Sequence, residues 1–594
     1  MNNKISLCMI VKNEENYLPG CLNSIKDIVD EIIIVDTGST DKTVEIAESF
    51  GAKISYFHWN NNFSEARNES LKYATKDWIL IMDADDEFFI DDKEKFKALL
   101  NSRLDIDSVY YFETLNYCGS SVENSTITVN LNPRLFKNNH GFHYEGEVHN
   151  QLVNSEFNYK GLSDSIKIYH YGYLDKNIIS KDKRNRNITL LEEQIRKDVT
   201  NKYAYFNLGN EYSALGDVKK ALENYYNAYE NFDSHVGYSS VLLARIVLSH
   251  YAIAEYDRAL EFADISIKYF PKFTDLYFLK ALTYKEMNKP TLQIKMLEKC
   301  IELGDPPGEL KFLYGTGGFR AFQELADVHM KFKDYDTAYN YYIETIRSKS
   351  DFIDPVYSIG SILKEVKTPL VEFKNKIENF FTEIPKAYPI IADLFYNVGY
   401  YKTSLEYLIK CEEASIIKEN LLVLKVKCLV RTGAFDECIK MNTIGEESSY
   451  YFYFSMCKVL SGLLTNKYEY AVSILNSFND SSLSDYNKKL LQVYKQLAKL
   501  FTKESTNILS EDENEKEYTA MILEICEIML INQRFDEFEI SLNLLNLITD
   551  KTVLLHLGKI YFKNGYVDMA KKEIIRSIKE FDVFDVEGLK ILTP

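Results

Sequence analysis

Glu31-Ile32-Ile33-Ile34-Val35-Asp36-Thr37-Gly38-Ser39 is the stretch that decides the fold. An almost unbroken apolar run ending in Asp-Thr-Gly-Ser marks a buried parallel strand opening into a loop, because a strand covered on both faces shows no apolar–polar alternation. Thr40-Asp41-Lys42-Thr43-Val44-Glu45-Ile46-Ala47 follows as a capped helix start. Lys53-Ile54-Ser55-Tyr56-Phe57 reads as a second strand, and Trp78-Ile79-Leu80-Ile81-Met82 as a third that ends in Asp83-Ala84-Asp85-Asp86. Strand, loop, helix and strand in this order predict a doubly wound α/β domain, whose ligands bind outside the carboxyl ends of the strands. Two of those ends carry aspartates.

Beyond about Asn201 the β signals stop, and helical periodicity runs on with self-similarity near the ~34-residue tetratricopeptide period. Tyr205, Leu208, Gly209, Tyr212, Gly216, Ala221, Tyr225 and Ala228 occupy the signature positions of the first copy. Leu557, Gly558, Tyr561, Gly565, Ala570 and Ser577 do so in the last. Small residues recur where the two helices of a unit cross closely. The pattern predicts an α/β domain over 1–195, tetratricopeptide-like repeats over 196–350, and degenerate helical repeats over 351–594.

A chain of 594 residues exceeds one core. Its net charge of −18 argues against nucleic acid or an anionic membrane as partner, since either needs a broad basic surface. The apolar run Ile5–Val11 gives way at once to Lys12-Asn13-Glu14-Glu15, too short for a signal core or a membrane span, so a cytoplasmic location is expected. Nine cysteines without a C-x-x-C pair read as core filler in a reducing compartment.

A carboxylate pair on a loop at a strand end suits a divalent cation that holds a diphosphate and neutralises charge on a leaving group. Asp83-Ala84-Asp85 meets that need, although acidic residues after a strand also serve as solvated turns or caps. The surrounding motifs are Cys8-Met9-Ile10-Val11-Lys12-Asn13-Glu14-Glu15, Ile34-Val35-Asp36-Thr37-Gly38-Ser39-Thr40-Asp41, Phe63-Ser64-Glu65-Ala66-Arg67-Asn68 and Asp77–Asp86. In that order they resemble family 2 glycosyltransferases, inverting enzymes of the GT-A fold. The implied architecture is an α/β GT-A (Rossmann-like) domain followed by an all-α tetratricopeptide-like solenoid.

The resemblance implies roles. Asp36 would accept a hydrogen bond from a uracil imide, Asn13 and Glu14 would line the nucleoside pocket, and Arg67 would sit near the nucleotide, with an ion pair closing a helix end as its plainer reading. Asp83 would contact ribose or metal, and Asp85 would ligate Mn2+ or Mg2+ directly. Asn132–Lys137, Phe142–His149, Ile168–Tyr173 and Lys183–Asn187 resemble one branch in which the transferase domain precedes tetratricopeptide-like helices, as in bacterial flagellin O-glycosyltransferases and certain peptide S-glycosyltransferases. That branch commonly has Glu after the His at 149, where this chain has Asn150.

An inverting displacement needs a base for the incoming hydroxyl. Glu145 and Glu147 are the available carboxylates, with Glu145 favoured. His149 and His170 are candidates for the metal or diphosphate, or structural histidines; His170 joins Asp83 and Asp85 as an expected metal ligand. Arg134 and Tyr173 belong to the acceptor or diphosphate vicinity. Lys183, Arg184 and Arg186 fall where a segment could close over donor phosphates, or simply begin a basic helix. The leading expectation is transfer of N-acetylglucosamine from a UDP-sugar donor to Ser or Thr of a bacterial protein such as flagellin, the repeats holding the protein acceptor. A cysteine acceptor, and a repeat protein that binds a partner with transfer secondary, are the alternatives. A homodimer is also within the expectation, since helical repeats often supply dimer surfaces.

Overall fold

The computed structural model describes residues 3–593 apart from 120–125, 148–149, 173, 175–182, 417, 443, 480–482 and 513–515. The chain divides into two compact units, Met1–Pro355 and Val356–Pro594.

The first unit opens with an eight-stranded sheet of order β3-β2-β1-β4-β7-β6-β10-β5. Its strands are β1 (Ile5–Val11), β2 (Glu31–Asp36), β3 (Lys53–Tyr56), β4 (Trp78–Ile81), β5 (Asp86–Phe88), β6 (Ser108–Cys118), β7 (Thr126–Lys137) and β10 (Lys160–His170). β8 (Phe142–Glu145) and β9 (Gln151–Asn154) form a separate hairpin. Every residue of β2 and β4 is buried, as unbroken Ile/Val/Leu runs require. β1, β2, β3 and β4 are mutually parallel, so the carboxyl ends of β1, β2 and β4 open on one edge.

The sheet is mixed rather than wholly doubly wound. β7 runs antiparallel to both β4 and β6, and β10 is parallel to β6 but antiparallel to β5. The change has a local cause. Helices α1 (Leu18–Ile25), α2 (Thr43–Ser49), α3 (Phe63–Lys72) and α4 (Lys93–Asn101) supply the crossovers that parallel strands need, and no helix is described between β6 and β10.

Glu31 fastens the parallel half. Its carboxylate accepts from Ser6 Oγ at 2.6 Å, Thr75 N at 2.9 Å and Thr75 Oγ1 at 3.0 Å, and it also bonds Lys53. Burial works to raise its pKa, but these bonds outweigh it and hold the carboxyl at about 2.

Helix α5 (Lys183–Lys197) leads into helix pairs: α6 (Lys202–Ala214) with α7 (Val218–Tyr229), α8 (Ser239–Ala252) with α9 (Tyr256–Tyr269), α10 (Thr274–Glu286) with α11 (Pro290–Leu303), and α12 (Phe319–Lys331) with α13 (Tyr335–Ser348). A Cβ on Gly209 would fall 2.5 Å from the Tyr225 ring, so glycine is what lets α6 and α7 close. Gly558 repeats the device in the second unit, where a Cβ would lie 2.6 Å from Ile574. That unit is built of helices around one large core that includes Leu429, Phe454, Leu497, Met529 and Ile574.

The connection between α11 and α12 ties the repeats to the sheet. Val129 N donates to Phe312 O at 2.8 Å and Tyr314 N to Ile127 O at 3.2 Å, while Lys311 pairs with Glu113 at 2.6 Å. Asp275 on α10 accepts from the N–H groups of Phe312 (3.1 Å) and Leu313 (2.6 Å) and from the Thr316 hydroxyl.

Candidate metal and donor site

The site forms where β1, β2 and β4 end and β10 returns beside β5. Asp36, 2 % exposed, is pinned at the tip of β2: its Oδ1 accepts from Gly38 N at 2.9 Å and Ser39 N at 3.0 Å. Asn13 follows β1 in a left-handed conformation, which Asn tolerates well. Asn13 Oδ1 accepts from Thr40 N at 2.7 Å, and Glu14 N donates to Thr43 Oγ1 at 2.7 Å. The first two strand-end loops are therefore laced into one wall.

At the tip of β4, Asp83 Oδ1 accepts from Arg67 Nη2 at 2.6 Å. Burial alone would raise the Asp83 pKa, but Arg67, Arg134 and His170 hold it well below the usual carboxylate range. Arg67 projects from α3 with its guanidinium over the Tyr144 ring at 5.6 Å, and its buried Nε and Nη1 have no hydrogen-bond partner among the described residues. A buried donor pair left open beside an anchored aspartate is suited to an anion such as a phosphate oxygen.

His170, the last residue of β10, lies opposite Asp86, the first of β5. Its Nδ1 donates to Asp86 Oδ1 at 2.9 Å and lies 3.6 Å from Asp85 Oδ1. Burial would lower the His170 pKa, yet Asp85, Asp86 and Asp83 raise it to about 9. Asp86 is itself saturated, its Oδ2 accepting from Arg134 Nη1 and from Asp83 N, each at 2.8 Å.

The ligand atoms of Asp83, Asp86 and His170 lie within 4.8 Å of one another. Asp86 already takes three donors, so its chemistry is that of a holder that orients the His170 imidazole. A Cβ built on Gly172 would fall 2.5 Å from Asp85 Oδ2 and 2.6 Å from His170 Nε2, so both atoms face one cradle that only a glycine leaves open. A carboxylate and an imidazole nitrogen converging there, with Asp83 alongside, fit a divalent cation such as Mn2+.

The other predicted residues take different places. Arg134 lies behind the site, 3 % exposed, donating to Asp86, to Ile81 O at 3.2 Å and to Thr114 Oγ1 at 3.1 Å. Glu145, the last residue of β8, and Glu147, just beyond it, are exposed on a segment that leans on α3. Phe63 N donates to Glu147 O at 3.1 Å, Ser64 Oγ to Gly146 O at 2.5 Å, and Asn68 exchanges two bonds with Tyr144. Glu145 Oε1 meets His143 Nε2 at 3.1 Å. Lys183 begins α5. Arg184 pairs with Glu211 of α6 at 2.7 Å, and Arg186 reaches the rings of Trp59 and Phe63. His149 and Tyr173 lie outside the described residues. Sequence reasoning gave no role to Asp86, Gly172 or Tyr144. Asp86 stands inside the quoted motif, but its task depends on a strand pairing more than eighty residues away.

Residues 6–140 match the model of glycosyl transferase family 2, and residues 203–231 and 274–303 match a tetratricopeptide repeat model. The glycosyltransferase SunS of the Bacillus subtilis SPbeta prophage is 31% identical over 309 residues, covering 50% of this chain and 71% of SunS. A tetratricopeptide repeat-containing protein of Synechococcus elongatus is 33% identical over 226 residues, covering 37% of this chain and 54% of that one. An uncharacterised glycosyltransferase of Rickettsia bellii is 44% identical over 87 residues, 15% of this chain and 29% of its own. The chain belongs to glycosyl transferase family 2 and carries tetratricopeptide repeats after its GT-A domain. Among the described residues no helix is long and apolar enough to cross a membrane.

Proposed function

We propose that this chain is a divalent-metal-dependent inverting transferase that moves a sugar, N-acetylglucosamine for preference, from its UDP donor to a Ser or Thr hydroxyl of a polypeptide held by the repeats. The observation that carries this reading is the convergence of Asp85 Oδ2 and His170 Nε2 over Gly172, beside the open donors of Arg67. A bound Mn2+ or Mg2+ would supply Lewis-acid stabilisation of the departing diphosphate. Asp85, Asp83 and His170 would hold it, Asp86 would orient the imidazole, and Arg67 would take a phosphate oxygen. Asp36, with Asn13 and Glu14, would receive the uracil base. Glu145, or else Glu147, would take the proton from the incoming hydroxyl. Flagellin as acceptor, bacterial origin and cytoplasmic residence rest on the branch resemblance and composition. A cysteine thiol acceptor is the second reading, favoured by the likeness to SunS taken with the resemblance to peptide S-glycosyltransferases.

Incubation with Mn2+ and a panel of UDP-sugars should release UDP from the N-acetylglucosamine donor fastest, and mass spectrometry of a modified acceptor should place the sugar on oxygen. A sugar on Cys sulfur would replace the leading acceptor by the second. Absence of release from every UDP-sugar would remove the donor assignment.

A further inference from the structure

We propose that the second unit carries a site for the carboxylate of a polypeptide, in a cavity lined by Lys427, Tyr396 and Tyr494. The cavity lies among the helices Ile384–Asn397, Glu419–Arg431, Tyr451–Leu464, Asp485–Thr502 and Lys516–Ile531, all within Val356–Pro594. Arg431, Tyr453 and Glu524 complete its polar lining, and the remainder is aliphatic or sulfur-bearing. Its volume of about 20 Å3 admits a water or the tip of one chain, and is too small for a sugar or a nucleotide. The group it takes is therefore one carried into it on a larger molecule, and stacked helical repeats present such inner faces to polypeptides.

Three donors in this lining are open. Lys427 is half-buried, with Nζ 4.3 Å from the centre of the Tyr453 ring, and among the described residues it makes no hydrogen bond or ion pair. Tyr494 is 7 % exposed, and among the described residues neither its hydroxyl nor that of Tyr396 has a hydrogen-bond partner. A phenol so enclosed is expected to be bonded, and its open O–H points to a ligand. Burial raises the pKa of both phenols, so they stay protonated donors. An ammonium and two phenolic O–H groups on one small space suit a carboxylate, which accepts from each in charge-assisted bonds.

Glu524, the one carboxylate lining the cavity among the described residues, is engaged elsewhere. Its Oε1 accepts from Arg431 Nη2 and from the Tyr453 hydroxyl, each at 3.3 Å. Arg431, one helical turn after Lys427, also donates through Nη1 to Glu527 Oε2 at 2.9 Å, and Glu527 pairs in turn with Lys563 at 2.7 Å. Beside it Asn532 Nδ2 donates to Val430 O at 3.1 Å. These bonds join the helices Glu419–Arg431 and Lys516–Ile531 into a fixed wall, so the cavity is held open by its own frame. Arg431 and Lys563 answer Glu524 and Glu527, and Lys427 is the cation without an answering carboxylate.

Retention of peptides on the immobilised full chain, read by mass spectrometry, tests this. Three pools of N-acetylated nonapeptides, otherwise random in neutral residues, compete in one mixture. One has a central Glu and an amidated C-terminus, one a central Gln and an amidated C-terminus, and one a central Gln and a free C-terminus. At least one carboxylate pool should be retained about tenfold over the Gln amide: the Glu pool where the site takes a side chain, the free acid where it takes a chain end. Lys427→Gln should abolish that advantage, Tyr494→Phe should cut it about threefold, and Lys427→Arg should keep it, with circular dichroism unchanged in all three. Equal retention of the three pools, or an advantage that survives Lys427→Gln, overturns the proposal. Sugar transfer is scored apart by UDP release, so the site and the transferase reading stand or fall separately.

Discussion

Gly172, Asp86 and Arg134 support the residues proposed to meet a ligand: Gly172 leaves the space that Asp85 and His170 share, and Asp86, held by Arg134, bonds His170 and the Asp83 N–H. Gly172→Ala puts a methyl group into the space shared by Asp85 Oδ2 and His170 Nε2, at 2.5 and 2.6 Å. Its effect should be on Mn2+ affinity, weakened by about 10–100-fold as for a disturbed supporting shell, with the fold retained. Titration of Mn2+ followed by electron paramagnetic resonance reads the first, and tryptophan emission the second. Arg134→Met acts differently, because it leaves the Asp86 carboxylate buried without its guanidinium. It should destabilise the N-terminal domain by about 3–5 kcal/mol, measured by urea unfolding. Both tryptophans, Trp59 and Trp78, lie in that domain, so their emission follows its unfolding apart from that of the repeats. At this scale the sequence was a partial guide. Asp36, Asp83 and Asp85 stand at strand ends that apolar runs announce, and so could be read locally. Asp86 and Gly172 could not, since their roles arise only when β10 pairs with β5.

Among the elements, the parallel strands were legible because burial on both faces writes itself as an unbroken apolar run. The antiparallel additions β7 and β5 were not, because strand direction depends on how the chain returns rather than on composition. Glu31 gives the parallel half a testable pH dependence. Its folded pKa of about 2 lies below the ordinary 4.5, so its stabilisation is fully present above pH 4.5 and is lost as the pH falls through 4.5 toward 2. The contribution is about 3 kcal/mol. Glu31→Gln should lower urea stability at pH 7 by roughly that amount and flatten the acid limb; an unchanged limb would remove Glu31 from the account. In the repeats, Gly209→Ala gains about 1 kcal/mol of helix propensity but forces a methyl group to 2.5 Å from the buried Tyr225 ring. Overpacking should win, with a net loss of about 1–2 kcal/mol measured by circular dichroism in urea. The small residues of the repeat signature made these crossings readable, and the insertion that carries Phe312 onto β7 was invisible because it departs from the repeat.

Across the molecule, eight of the nine cysteines are buried, Cys118 being half-exposed. Burial raises the thiols of Cys8, Cys300 and Cys457, and pushes Cys526 up to about 12. A thiol-counting reagent at pH 8 should therefore label Cys118 first in the native protein and all nine in denaturant; rapid native labelling of several would contradict the packing of both units. The division between a glycosyl transferase family 2 sheet domain and tetratricopeptide helices was readable from the change of period near residue 200. How the two cooperate was not, because it rests on contacts between distant segments such as Lys311 with Glu113. The central claim concerns one corner of the first unit, where Asp85 and His170 converge. Mn2+-dependent UDP release should fall by about a thousandfold or more in Asp85→Ala, together with loss of Mn2+ binding and with tryptophan emission unchanged. An Asp85→Ala protein that binds Mn2+ and releases UDP at the full rate would contradict the account.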